Sequence, residues 1–374
     1  MLSYRFRTYP SKTAQQKLSE QLELCRWLYN RLLEELNRSG KENRKVTQRD
    51  TQALIVKLKE EMPKLKQVYS KVLQMINYQL WSNIKALANL KKNGKKIGRL
   101  RFKGNWFKTM NFNQSGFKLK GKKLILSKIG EVPIKLHRKI NHKVKGVIIK
   151  HEGSGKWHAI FQVENTPNLL PKTNRAVGID VGLKHFLTDS EGTRIENPSF
   201  YRRTLEGMKI VQHRLSKKKK GSKNREKQRI KLAKLHERLV NQRNDFLHKL
   251  SRFYVNNYDF IAVENLNISG MVRNHNLAQK ILDASWGKFL QILSYKAENA
   301  GKIVMKVDPR GTSKGFKYGE LDRDYNASLN ILERGLLGLG RPWVPAEAEP
   351  LLVGIPASSI IEAGSPLRLL GVVH

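Results

Sequence analysis

Short apolar runs that end at a carboxylate characterise the second half of this 374-residue chain. The run Ala176-Val-Gly-Ile is followed by Asp180, and the run Phe260-Ile-Ala-Val is followed by Glu264. Strand-like segments at 176–181, 184–188, 259–263 and 302–307, separated by long stretches with helical periodicity, predict an α/β sheet. We therefore expect both acids to emerge from strand ends on one side of that sheet.

A third acid, Asp324, precedes a helical pattern that begins at Asn326, so we expect it at a helix N-terminus that faces the strand ends. Carboxylates are the hard oxygen ligands that Mg²⁺ or Mn²⁺ prefers, and two such ions about 3.5 to 4 Å apart catalyse phosphodiester hydrolysis. We predict that Asp180, Glu264 and Asp324 are the catalytic residues and the metal ligands.

Each acid also has an ordinary structural explanation. Asp180 could cap a turn, Glu264 could pair with surrounding lysines, and Asp324 could be a helix N-cap, a position that favours Asp. Asp189 and Asp322 are nearby candidates that we interpret as turn or supporting residues. The catalytic interpretation is favoured because acids are scarce in this chain, and two of these three end β-branched runs.

The charge of the chain indicates a polyanionic partner. With 72 Lys and Arg against 31 Asp and Glu, the formal net charge is +41, spread over the whole sequence. Nucleic acid is the expected partner, although ribosomal and chromatin proteins are equally basic without being enzymes. The candidate nucleic-acid contacts lie on a basic strand face, in a polar run around an isolated tryptophan, and in or near a lysine run. They are Arg5, Arg7, Lys103, Trp106, Lys108, Lys217, Lys218, Lys219, Lys220 and Arg225.

The cysteine count excludes two kinds of site. Cys25 is the single cysteine and lies in an apolar helical pattern, so we expect a buried thiol, no disulfide and no structural zinc site of thiolates. The sequence has no run of about eighteen apolar residues, which predicts no membrane span and a cytoplasmic, nucleoid-associated protein.

The N-terminal half combines one strand, a helical segment and further strands. Residues 2 to 9 alternate as in a strand, and residues 11 to 95 carry helical patterns, the first with a capping box predicted at Thr13 and Gln16. Short β-branched and aromatic runs from 99 to 164 predict a small barrel that the first strand joins. Phe107, Phe112 and Trp157 are assigned to core packing in preference to base stacking, with Trp106 as the exception.

Three segments of the second half resemble the RuvC motifs of TnpB, the RNA-guided nuclease of insertion sequences that is related to compact type V CRISPR effectors. They are Gly178-Ile-Asp-Val-Gly-Leu-Lys-His-Phe186, Val263-Glu-Asn-Leu-Asn267 and Asp322-Arg-Asp-Tyr-Asn-Ala327. Tyr4 to Pro10, Cys25 to Asn30 and Leu100 to Lys103 also resemble that family.

The resemblance implies a multidomain α+β protein. A β-barrel wedge domain is expected at 1–10 and 96–170, with an inserted helical recognition domain at 11–95. An RNase H-like (RuvC) α/β nuclease domain is expected at 171–335, including a basic helical hairpin at 199–257. From its composition, rich in Pro, Gly and Leu with few charges, the tail 336–374 is expected to be partly disordered.

The resemblance also implies a mechanism and partners. The partners would be a transposon right-end guide RNA and a target DNA that carries a short transposon-adjacent motif, and the protein would act as a Mg²⁺-dependent endonuclease, with monomer as the expected state. The family's zinc ribbon is missing here, since 308–320 runs directly into the third motif as a shortened remnant. Two alternatives therefore stay open: a guided DNA binder with weak or no cleavage, and a basic DNA-binding protein that acts without a guide.

Overall fold

A computed structural model describes residues 2–164, 166–313, 322–340 and 353–355. The chain forms two compact units, Met1–Asn165 and Thr166–His374. Among the described residues, no helix has the length and apolar character needed to cross a membrane.

The first unit contains a seven-stranded antiparallel sheet in the order β2-β6-β7-β1-β5-β4-β3. Its edge strands, β2 and β3, are consecutive in the chain and joined by the short 3₁₀ turn Gln114–Gly116, so the sheet curves into a nearly closed barrel. The strands are β1 (Leu2–Thr8), β2 (Thr109–Asn113), β3 (Phe117–Lys120), β4 (Lys123–Leu126), β5 (Gly130–Lys135), β6 (Val144–His151) and β7 (Trp157–Val163).

Three helices follow β1 and pack with the sheet around one core: α1 (Lys12–Lys41), α2 (Gln48–Glu61) and α3 (Ser70–Lys92). The N-cap of α1 is Ser11, whose hydroxyl accepts from the Ala14 N–H, so the capping box predicted at Thr13 and Gln16 is wrong. A capping box is present in α2 instead, between Thr47 and Asp50. The prediction failed because two hydroxyl residues, Ser11 and Thr13, lie close together and the helix begins directly after Ser11.

The second unit is a six-stranded mixed sheet in the order β12-β11-β8-β9-β10-β13. Strands β8, β11 and β12 run parallel, and β9 is antiparallel to its neighbours. The strands are β8 (Ala176–Asp180), β9 (His185–Asp189), β10 (Thr193–Glu196), β11 (Phe260–Glu264), β12 (Ile303–Val307) and β13 (Val353–Ile355). Four of the six match predicted strands, while β10 and β13 were not predicted.

The helices of the second unit cover both faces of this sheet. Helices α4 and α5 form a long hairpin, and α5 also packs on α8. Against the opposite face lies α9, whose approach requires glycine: a Cβ on Gly178 would lie 2.1 Å from the Ser328 carbonyl oxygen. The helices are α4 (Phe200–Ser216), α5 (Lys223–Asn257), α6 (Ile268–Met271), α7 (His275–Ala284), α8 (Trp286–Ala300) and α9 (Arg323–Leu337).

The C-terminal segment is only partly covered by the structure. Helix α9 extends past residue 336, and residues 353–355 pair in parallel with β10 as β13. The predicted tail thus contributes a strand to the sheet. Residues 341–352 and 356–374, on which the prediction of partial disorder falls, lie outside the described residues.

Candidate active site

The ends of β8 and β11 bring Asp180 and Glu264 side by side. The two strands are parallel neighbours with Ile179 opposite Val263, so the next residue on each is the acid. Adjacent strands lie about 4.8 Å apart, and side chains alternate between the two faces of a sheet. Ala176 and Ala262 pack in the core beneath α9, which places both acids on the face that α9 covers.

Helix α9 brings the third acid to the same edge. The Gly178 contact with Ser328 fixes the helix one turn beyond Asp324, so the N-terminus of α9 lies near the end of β8. The N-cap is Asp322 and not Asp324: its carboxylate accepts from the N–H groups of Asp324 (3.1 Å) and Tyr325 (3.3 Å). Because Asp322 performs the capping, the Asp324 carboxylate is not used for that purpose.

The electrostatics of Asp180 show that the three acids interact. Burial, followed by the charges of Glu264 and Asp324, raises the pKa of the Asp180 carboxyl to about 7. The positive charge of Arg323 partly opposes this rise in pKa. A buried carboxylate beside two further carboxylates forms a site of high negative potential, which a bound cation would relieve.

Glu264 is almost fully buried, and two groups define its environment. Burial raises the pKa of its carboxyl, whereas a hydrogen bond from the Thr312 hydroxyl (2.5 Å) and the charge of Arg334 oppose the rise. The donor set suits Mg²⁺ or Mn²⁺, yet no three His, Cys, Asp or Glu side chains are arranged to hold a metal in the part of the chain that the structure describes.

Asp189 and Asp322 have structural roles, as interpreted from the sequence. Asp189 is fully buried and accepts from the N–H groups of Glu191 and Thr193 and from the Tyr254 hydroxyl, at 2.9 to 3.0 Å. Asp322 forms an ion pair with Arg194 at 2.9 Å in addition to its cap. Thr312 and Arg334 were not identified from the sequence, because only the fold places the loop after β12 beside Glu264.

The candidate nucleic-acid residues fall into two groups, and those of the first group form polar contacts within the chain. Arg5 forms an ion pair with Glu152 (3.1 Å), Arg7 donates to the Trp157 carbonyl (3.1 Å), and Arg225 donates to the carbonyls of Leu215 (2.8 Å) and Lys218 (3.0 Å). These three arginines therefore hold the fold together, whatever else they bind.

The side chains of the remaining candidates are more available to a nucleic acid. Trp106 is 62% exposed, and the ammonium of Lys103 lies over its ring at 4.6 Å and over the Tyr29 ring at 4.9 Å. Lys108 is half-buried, whereas Lys217 to Lys220, at the turn between α4 and α5, are exposed. Phe107, Phe112 and Trp157 are buried, as predicted.

One acid links the basic hairpin to the helices that follow Glu264. Asp283, near the end of α7, accepts from the Tyr201 N–H at the start of α4 (3.0 Å) and pairs with Arg243 of α5 (2.6 Å). The hairpin and α7 are thus connected through one nearly buried carboxylate.

Family models match three parts of the chain. A model described as "Probable transposase" covers residues 160–275, one described as "Helix-turn-helix domain" covers 1–45, and one described as "Cas12f1-like, TNB domain" covers 286–319. A chain in the cryo-EM structure of the Cas12f1-sgRNA-target DNA complex aligns over 84% of this chain and 82% of its own length, at 15% identity and a TM-score of 0.48.

Curated relatives extend the comparison to nearly the full length. A Streptomyces pristinaespiralis protein named "Putative RNA-guided DNA endonuclease" is 30% identical over 95% of this chain and 98% of its own. An Escherichia coli K12 protein of the same name, with the symbol InsQ, is 29% identical over 52% of each chain. With the three acid-bearing motifs in one unit and a relative matched over 95% of this chain, the chain belongs to the TnpB family.

Proposed function

We propose that this protein is an RNA-guided DNA endonuclease that hydrolyses phosphodiester bonds at Asp180, Glu264 and Asp324. The observation that carries the proposal is the edge where β8, β11 and the N-terminus of α9 meet, because three acids from distant parts of the sequence interact there. The name of the full-length Streptomyces relative supports the same activity.

The acids would act as ligands of Mg²⁺ or Mn²⁺. Such ions activate a water molecule and stabilise the leaving oxygen in phosphodiester hydrolysis. Asp180 would contribute from the end of β8, Glu264 from β11 and Asp324 from the first turn of α9, whose N-terminal N–H groups favour nearby negative charge. Since Asp180 must be ionised to bind a cation, metal affinity should increase as pH rises through about 7.

Guide RNA and target DNA are the proposed partners of the basic surfaces. The barrel and its helices would serve as the wedge and recognition domains and read the motif beside the target, while base pairing would read the remaining sequence. Trp106 could stack on a base, and Lys108 and Lys217 to Lys220 could contact phosphates. Arg5, Arg7, Lys103 and Arg225 would contribute charge while keeping their contacts within the chain.

A guided DNA binder with weak or no cleavage is the second candidate. One observation favours it: Cys25 is the single cysteine, so a thiolate zinc ribbon cannot form. Residues 308–320 would be the shortened remnant of the target-binding insertion. The match of 286–319 to the TNB domain model is consistent with this assignment.

The deciding experiment copurifies the protein with its RNA and presents a plasmid library of flanking motifs with Mg²⁺. We expect RNA-dependent cleavage beside one motif, and a loss of at least about 1,000-fold in Asp180→Ala, because the ligand set is broken. Glu131→Gln, which removes an exposed carboxylate that pairs with Lys123 in the first unit, controls for the loss of one acid.

Three other outcomes would each reject part of the proposal. Motif-specific binding without nicking, unchanged by Asp180→Ala, would establish the guided binder. Purification without RNA would refute guided recognition. Loss of structure when zinc is chelated would refute the absence of a zinc site.

A further inference from the structure

The loop after β12 holds Glu264 through a buried hydroxyl. Thr312 is 1% exposed, and its Oγ1 lies 2.5 Å from Glu264 Oε1 and 2.9 Å from the Pro309 carbonyl oxygen. A hydroxyl has one proton to donate, and the carboxylate is the stronger of the two acceptors. The hydrogen bond therefore occupies Oε1 from one side, and among the described residues no donor contacts Oε2.

Helix α9 fixes this loop with two side chains on one face. Asn330 donates to the Thr312 carbonyl oxygen (2.9 Å), and four residues later Arg334 donates to the carbonyls of Asp308 (3.1 Å) and Arg310 (2.7 Å). The same helix carries Asp324 in its first turn. The distance between the second and third acids is thus set by one helix and one short loop.

We propose that Thr312 is a positioning residue for Glu264, oriented by Asn330 and Arg334, and that its hydroxyl sets the metal affinity of the site. This inference rests on the proposed function only in taking Glu264 as a metal ligand. Groups that hydrogen-bond to a metal ligand orient it, and their loss typically costs about 10- to 100-fold in metal affinity or activity.

The same hydrogen bond is compatible with a bound cation. A cation held through Oε2 would leave the Thr312 hydroxyl donating to Oε1, so the carboxylate would keep one orientation with and without the ion. Valine has the same shape but cannot donate this hydrogen bond.

The test measures Mn²⁺ binding to the full-length protein by electron paramagnetic resonance, with the relevant site defined as the one lost in Asp180→Ala. We expect Thr312→Val to weaken this site about 10-fold, and Thr312→Ser, which keeps the hydroxyl, to remain within about twofold of wild type. In cleavage assays, Thr312→Val should raise the Mg²⁺ concentration for half-maximal rate far more than it lowers the rate at saturating Mg²⁺.

Two further variants separate positioning from stability. Ser251→Ala removes another fully buried hydroxyl of the same unit, which accepts from Lys296 (2.9 Å), and should lower the unfolding temperature without changing Mn²⁺ affinity. Asn330→Ala frees the loop but keeps the Thr312 hydroxyl, and should weaken Mn²⁺ binding by a smaller factor. It provides a second test if Thr312→Val does not fold.

The outcomes distinguish this inference from the proposed function. Wild-type Mn²⁺ affinity in Thr312→Val, or in Asn330→Ala where only that variant folds, would overturn the positioning role alone. If the variants bind Mn²⁺ in the expected order of affinity but the wild-type protein never cleaves DNA, the positioning role is supported and the nuclease function is refuted. A wild-type protein with no Asp180-dependent Mn²⁺ site would overturn both.

Discussion

Asp180 and Asp189 lie on neighbouring strands and both have a raised carboxyl pKa, but their surroundings differ. Asp189 is surrounded by donors, two backbone N–H groups and the Tyr254 hydroxyl, which lower its pKa against the larger effect of burial. Two further carboxylates, Glu264 and Asp324, raise the pKa of Asp180, whereas one, Glu191, acts on Asp189 with a smaller effect than that of its donors. A buried acid with matched donors stabilises a turn, whereas a buried acid beside like charges is typical of a functional site.

The sequence identified the three acids but not the groups that orient them. Asp180 and Glu264 could be predicted because each ends an apolar run, and Asp324 because a helical pattern follows it. Thr312 could not be predicted, since its contact with Glu264 joins residues 48 positions apart. No local pattern encodes such a contact, which depends on how α9 packs on the sheet.

A buried lysine predicts a pH-dependent stability. Burial, with a smaller contribution from the charge of Arg252, lowers the pKa of Lys296 to about 7, and its ammonium donates to two neutral groups, the His248 carbonyl and the Ser251 hydroxyl. The unfolded chain binds more protons between pH 7 and about 10.5, so the free energy of unfolding should increase with pH over that window. Below pH 7 the full cost of the buried charge is present.

Lys296→Met should therefore raise the free energy of unfolding near pH 6, by on the order of 3 kcal/mol, and by much less near pH 10. Urea titrations at the two pH values measure the difference. Lys288→Met, which removes an exposed lysine of the same helix, is the control. An equal effect of Lys296→Met at both pH values would contradict the prediction.

At the scale of elements, the contact between β8 and α9 determines whether the acids meet. A Cβ at Gly178 would lie 2.1 Å from the Ser328 carbonyl oxygen and 2.7 Å from the Leu332 nitrogen, and both are backbone atoms that cannot rotate away. At Gly335 of α9, a Cβ would lie 2.7 Å from the Ala262 Cβ. Two glycines, one on each element, thus allow the helix to approach the sheet.

We expect Gly178→Ala to destabilise the second unit by on the order of 3 kcal/mol, through overpacking, and to lower cleavage by displacing Asp324. Gly207→Ala is the matched stability control, because no atom lies within 4 Å of its added Cβ in α4, and there alanine should be neutral or stabilise by about 0.5 to 1 kcal/mol. Thermal unfolding compares the two. Equal unfolding temperatures for both variants would refute the close contact as a determinant of stability.

Elements with a strong pattern were predicted within one or two residues, and elements without one were missed. The predicted strands at 259–263 and 302–307 correspond to β11 and β12, and the predicted basic hairpin at 199–257 to α4 and α5. Strand β10 contains a single apolar residue, Ile195, and β13 has three residues, so neither carries a recognisable alternation. The neighbouring strands of the sheet, and not the sequence patterns of β10 and β13, determine that these segments pair.

On the scale of the whole molecule, charge predicts how the protein should bind. A net charge of +41 implies many phosphate contacts, so RNA affinity should fall steeply with salt. We expect a loss of at least about 100-fold between 50 and 200 mM salt, measured by filter binding.

Replacing Lys217, Lys218, Lys219 and Lys220 together by alanine should reduce the slope of log affinity against log salt by about 3, since each phosphate contact contributes about 0.7 to 0.9. Replacing Lys91, Lys92, Lys95 and Lys96, four lysines at and just after the end of α3, tests whether the effect belongs to the turn between α4 and α5 or to charge in general. An unchanged slope in the first variant would show that this turn is not at the interface.

The single cysteine makes the whole chain convenient for chemical labelling. Cys25 is fully buried in α1, and burial raises the pKa of its thiol to about 12, so very little reactive thiolate is present at neutral pH. A second cysteine introduced at an exposed site, such as Lys219, would react selectively with a maleimide fluorophore. Movement of the hairpin during target recognition could then be followed without first removing native thiols.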